Sequence, residues 1–82
     1  MIYLEVYAAS LGRTFDFEAD EECTVKEMTE EIVRILWMVS GSEGEPDPEG
    51  FRMFCQKEEC ILPQENTLDE CAVESGSLLI LA

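Results

Sequence analysis

The sequence predicts an α+β fold in a single domain, residues 1–82: a mixed sheet of four to five strands with one long helix packed across one face. Three observations predict it. Two alternating runs near the start read as a hairpin, a capped amphipathic stretch reads as one helix, and short apolar runs near the end read as further strands.

Ile2, Leu4 and Val6 alternate with Tyr3, Glu5 and Tyr7, the period-two pattern of a half-buried strand. Residues 8–12 are small or turn-compatible. Residues 13–19 alternate again, with Phe15, Phe17 and Ala19 on one side and Asp16 and Glu18 on the other. Two such runs joined by a short Gly-containing loop make a β-hairpin. Thr24 followed three residues later by Glu27 is a capping box, flanked at staple spacing by Cys23 and Met28. Glu21, Glu22 and Glu27 sit where the positive end of a helix dipole favours anions. Val25, Met28, Ile32, Ile35, Leu36 and Val39 then recur at three- and four-residue steps, one apolar stripe ended by Ser40 and Gly41.

Residues 41–50 (GSEGEPDPEG) are too rich in Gly, Pro and acids for regular structure and read as a loop. Residues 51–55 form a short strand, 56–59 a polar turn, Ile61 and Leu62 a second apolar pair before Pro63. Thr67 caps a brief helical turn over 67–69, and 78–81 is the closing strand. A hairpin and one amphipathic helix are each marginal alone. The economical assembly lays the helix over one face of a sheet whose first and last strands lie side by side at the centre. Those two run parallel, and a parallel pair needs a long crossover, which the helix and acidic loop supply.

Charge bounds the partners. Nineteen Asp and Glu against five Lys and Arg give a net charge of −14. Such a surface repels phosphate backbones and anionic headgroups, so nucleic acid is not expected as a partner; a basic partner, or simple solubility, is the better reading of the charge. The start, MIYLEVYAAS, lacks the basic region of a secretory signal, and no apolar run approaches the roughly 20 residues that span a bilayer, so no direct membrane insertion is expected. The compartment expected is the cytoplasm, with reduced thiols.

Catalytic chemistry finds little purchase. There is no histidine, which removes the commonest general base, and carboxylate pairs arise by chance on so acidic a surface. No catalytic residue, metal site or cofactor is expected. Cys55 and Cys60, with four residues between them, match a spacing found in iron–sulfur proteins of this architecture, but the further Cys such a cluster needs is replaced by Pro63. Cys23 and Cys71 are expected as small buried hydrophobes, with Cys55 and Cys60 on or near the third strand. An iron–sulfur or redox protein using Cys55 and Cys60 stands as the alternative.

The stretch FRMFCQKEECILPQENTLDECAVESGSLLIL resembles ubiquitin and its relatives, the β-grasp fold. It carries an Arg-hydrophobic-hydrophobic strand at Arg52, Met53 and Phe54, then Leu62, the pair Thr67 and Leu68, Val73, Gly76 and an aliphatic closing strand. The hairpin and capped helix follow the same order. Ending at Ala82 without a Gly-Gly tail, the chain looks like the YukD-type bacterial proteins, small ubiquitin-like components of type VII (WXG100) secretion systems. That resemblance implies a non-conjugating, non-enzymatic cytosolic accessory protein that works with membrane-bound secretion machinery. A ubiquitin-like modifier needing a longer precursor is a further alternative.

Strand phase points to a surface. If Leu79 and Leu81 face the helix, Leu78 and Ile80 face away, Phe54 turns outward when Met53 and Cys55 face in, and Tyr3 and Tyr7 lie nearby. The resemblance implies that Phe54 and Ile80, extended to Ala82, form the patch that receptors of ubiquitin recognise. An apolar cluster with an acidic surround is a protein-binding surface. It is covered by a partner, such as a membrane-bound secretion component with a basic surface, or by a second copy in a homodimer, or it is only mildly apolar and stays exposed to solvent. On the helix, Val33 and Trp37 fall off the expected core stripe. Trp37 is either a partner anchor or peripheral core folded onto the acidic loop or a neighbouring strand.

Overall fold

The structure is a computed structural model and describes residues 1–41, 44 and 46–82. Its elements are β1 (Ile2–Ala8), β2 (Arg13–Ala19), α1 (Val25–Val39), a 3-10 turn (Pro48–Gly50), β3 (Met53–Cys55), β4 (Cys60–Ile61) and β5 (Leu78–Leu81). They form one five-stranded sheet in the order β2-β1-β5-β3-β4. The first and last strands are therefore neighbours, and they run parallel, with Val6 opposite Leu79 and Ala8 opposite Leu81.

The β1–β2 hairpin turns because Leu11 and Gly12 both donate backbone N–H groups to the Ala8 carbonyl, at 3.0 and 2.9 Å. Gly12 sits at φ +65°, a backbone region that other residues enter only with strain. Alternation then buries Leu4, Val6 and Ala8 and leaves Tyr3, Glu5 and Tyr7 exposed. From β3 and β5 the same period sends Met53, Cys55, Leu79 and Leu81 into the core. The expected strand at 51–55 is shorter than its apolar letters suggest. Arg52 still exchanges two backbone hydrogen bonds with Ala82, at 2.9 and 3.1 Å, one step beyond the regular ladder.

Helix α1 begins where the capping box places it. All four N–H groups that a helix start leaves without an intrahelical acceptor are used. Thr24 N–H donates to the Glu27 carboxylate (3.3 Å) and Glu27 N–H to the Thr24 hydroxyl (3.1 Å). Val25 N–H donates to the carbonyl of Asn66 (2.8 Å) and Lys26 N–H to that of Gln64 (3.0 Å). The loop after β4 thus ties the helix start to the rest of the chain. That loop holds a second box of the same form, in which Thr67 N–H donates to the Glu70 carboxylate (2.9 Å) and Glu70 N–H to the Thr67 hydroxyl (3.1 Å). Thr24 and Thr67 pair as an isolated antiparallel bridge, and Leu68 beside them is fully buried.

The buried face of α1 is Val25, Met28, Thr29, Ile32, Val33 and Leu36, which corrects the expected stripe. Ile35 and Val39, expected inside, are exposed, and Val33, expected off the core, is 3% exposed. The stripe is rotated by about 40° from the apolar letters alone, at the 100° per residue of an α-helix. Thr29 explains the shift. Its hydroxyl donates to the Val25 carbonyl at 2.8 Å, so a residue that reads as polar sits dry on the face, one turn before the buried Val33.

The segment 41–50 also departs from expectation. A short 3-10 turn occupies Pro48–Gly50, started by the Asp47 carboxylate accepting the Glu49 N–H at 3.1 Å. Residues 43 and 45 of the acidic run 43–49 lie outside the described residues.

The double lock at the helix start makes a stability prediction. Replacing Thr67 by Ala removes the acceptor for Glu70 N–H and should cost about 1 kcal/mol. Leu68→Ala should cost about 2–5 kcal/mol, the range for emptying a buried leucine site. Urea denaturation followed by circular dichroism measures both; a Leu68→Ala midpoint equal to that of the parent chain would show that the loop does not hold the core together.

Candidate functional site

The sheet's helix-free face carries one continuous row of side chains. Residues directly opposite one another in neighbouring strands project to the same side. Thr14 faces Tyr7, Tyr7 faces Ile80, Ile80 faces Phe54, and Phe54 faces Ile61, so one rank crosses all five strands. Four of its five members are large and apolar or aromatic. Phe54 and Ile80 are half-buried by their neighbours, while Ile61 stands 61% exposed on the edge strand.

The next rank differs in character. Asp16 faces Glu5, and Glu5 faces Leu78; beyond it Glu18 faces Tyr3. The outer face is therefore divided, apolar over β5, β3 and β4 and acidic over β1 and β2, with Tyr7 at the seam. Tyr3 is 65% exposed, at the far end of the acidic side. Arg52, just before β3 and in phase with Phe54, has its guanidinium turned onto the backbone carbonyls of Glu49 (2.6 Å) and Phe51 (2.7 Å). Ala82 lies opposite Arg52 and is exposed.

Phe54, Ile80, Leu78, Tyr3 and Tyr7 thus share the face that strand phase assigned them. Val33 and Trp37 do not belong to it. Val33 is core, packed beneath the sheet's other face. Trp37 is half-buried and its indole Nε1–H donates to the Gly44 carbonyl at 3.1 Å, which folds the ring back over the loop that follows the helix. With Leu11, Val33, Leu36, Phe51 and Leu81 it lines a groove of about 200 Å³ at the C-terminal end of α1.

Ile61 was missed by the sequence reading. The signal was present in the phase: Leu62 is inward, so its neighbour in a strand must be outward, and a four-residue turn over 56–59 sets Ile61 against Phe54.

The cysteines separate by environment. Cys55 is buried in the core face of β3, and Cys60 is exposed on β4. Cys23 and Cys71, expected to be buried, are half-buried at its margin, because both lie in turns that cap the core from outside. Burial pushes both thiols up, with further upward contributions from Glu27, Asp20 and Glu31 at Cys23 and from Glu70 at Cys71. Among the described residues no group of three or more His, Cys, Asp or Glu side chains is placed to hold a metal ion. Among them, too, no helix is long and apolar enough to cross a membrane.

Solved structures that resemble this one are ubiquitin-like. A de novo design based on ubiquitin superposes with a TM-score of 0.72 at 22% identity, covering 99% of this chain and 85% of that one. The solution structure of an N-terminal ubiquitin-like domain superposes with a TM-score of 0.77 at 15% identity, covering 99% of this chain and 72% of that one. At those identities the likeness establishes the fold, the α+β β-grasp. No curated protein matches the sequence. The sequence profile of YukD, a protein of the WXG100 protein secretion system, matches residues 4–81. That match runs from the first strand to the last, and the chain belongs to the YukD family.

Proposed function

We propose that this chain is a non-enzymatic, cytoplasmic docking module of a WXG100 (type VII) secretion system. It binds a basic surface of a membrane-bound component of that system through the outward row Tyr7, Ile80, Phe54 and Ile61. The observation that carries this reading is the register of that row: four large side chains brought into one line across four strands, on the face the helix leaves uncovered. Burying such a row against a partner removes apolar surface from water, about 25 cal/mol for each Å². Leu78 and Tyr3 extend the contact onto the acidic half of the face.

The division of the face assigns separate tasks. The apolar half supplies affinity on close contact. Glu5, Asp16 and Glu18, within a net charge of −14, speed encounter with a cationic surface and orient it before contact. The family supports a secretion role with protein partners, and the charge favours a basic one.

Two measurements test the proposal. Phe54→Asp and Ile80→Asp change outward residues, so each variant should keep the far-UV circular dichroism of the parent. Each should also weaken capture of secretion components from membranes of cells that carry the machinery by at least about tenfold, with captured proteins identified by mass spectrometry. Undiminished capture by folded variants would refute the docking face. Second, the association rate with the captured component should fall steeply as salt is raised, because the Debye length shortens from about 10 Å at 0.1 M to about 3 Å at 1 M. A salt-independent rate would remove the steering role of the acids.

A further inference from the structure

We propose that Cys55 and Cys60 form a dithiol site that closes to an intramolecular disulfide by exchange with a small-molecule disulfide. The site stands on geometry independent of what the outer face binds.

Cys55 and Cys60 are directly opposite one another where β3 meets β4, at the two ends of the turn 56–59. The phase of the ladder fixes how close they are. Leu62 N–H donates to the Met53 carbonyl at 2.8 Å, so Met53 and Leu62 are a hydrogen-bonded pair. Such pairs alternate along an antiparallel ladder; Phe54 and Ile61 are then a non-bonded pair, and Cys55 and Cys60 are again a bonded one. Opposite Cα atoms in a bonded pair lie about 5.5 Å apart. That separation falls at the commonest value for disulfides, about 5.5–6 Å. Both side chains project to the helix side of the sheet, since opposed residues share a face.

Their exposures differ in a way that orders the reaction. Cys60 is exposed on an edge strand of two residues, and Cys55 is buried behind it. The Cys60 thiolate attacks one sulfur of the small disulfide, forming a mixed disulfide and releasing one thiolate. The Cys55 sulfur, losing its proton, then attacks the Cys60 sulfur and expels the second. Two protein thiols become one disulfide, and one small disulfide becomes two thiols. Bridging needs the Cβ atoms drawn closer than a bonded strand pair normally holds them, and the turn already keeps Glu59 at φ +52°. A bond formed under such strain is readily reduced, which makes the site reversible.

A third thiol competes. Cys71 lies within electrostatic reach of both Cys55 and Cys60. Burial and the Glu70 charge hold it protonated further up the pH scale, which lowers its thiolate fraction at neutral pH. Cys23 precedes the helix cap, where its charged neighbours are Glu27, Asp20 and Glu31.

The test uses the full chain and oxidised glutathione, with free thiols then alkylated and peptides mapped by mass spectrometry without reduction. The expected product has lost two hydrogens and links Cys55 to Cys60. Dithiothreitol should restore four titratable thiols. Cys71→Ser should keep the product; Cys60→Ser, a change at an exposed position, should fold normally and lose it completely. A chain that stops at a glutathione adduct on Cys60, links Cys60 to Cys71, or joins two copies would overturn the proposal.

Discussion

The structure depends on β5 having a hydrogen-bonded neighbour on each side. β1 and β2 make one hairpin, β3 and β4 another, and neither is stable alone in water. Leu78–Leu81 joins them, parallel to β1 and antiparallel to β3, and converts two marginal ribbons into one sheet broad enough for a helix to cover. The same four residues serve both faces. Leu79 and Leu81 are buried beneath α1, while Leu78 and Ile80 face outward, Ile80 as a member of the apolar row and Leu78 in the rank beside it. A register slip of one residue would exchange the two sets, exposing the core pair and burying the surface pair. Core and outward face are therefore fixed by a single alignment.

The helix is bound to that sheet through its first turn as well as its apolar side. Asn66 and Gln64 accept the N–H groups that α1 cannot satisfy internally, and Leu68 N–H returns a bond to the Cys23 carbonyl at 3.0 Å. Two Thr–Glu boxes meet back to back at the Thr24–Thr67 bridge, so the start of the helix and the long loop before β5 order each other. With Leu68 buried under them, this junction couples the placement of α1 to the arrival of β5. The loop is long, yet nearly every part of it has a hydrogen-bonded duty.

What was legible in the sequence was local. The hairpin's alternation, the Thr24 capping box, Gly41 after the helix and the aliphatic final strand each carry their signal within a few residues, and each stands where it was expected. The final strand's neighbours followed from the crossover that a parallel pair requires. The rest depended on partners distant in sequence or on side chains whose polarity misleads. Thr29 counts as polar until its hydroxyl bonds the preceding turn, and the helix's buried face turns with it. Trp37 shows no preference between solvent and loop until Gly44 supplies an acceptor. Ile61 was readable only after the β3–β4 register was known.

The high negative charge and the uncovered apolar row explain each other. A sheet face carrying Phe54, Ile80 and Ile61 invites self-association, because a second copy offers the same row. Each copy also carries a net charge of −14, and its acids on β1 and β2 flank the row. Bringing two such faces together opposes like charges at close range, which costs more as water is excluded between them. The same field repels anionic lipid headgroups and nucleic acid. On the proposed reading, a cationic protein surface is a partner for which both halves of the face are favourable at once. On that reading acidity selects against the wrong contacts, and the apolar row supplies the attraction that selection by charge alone lacks.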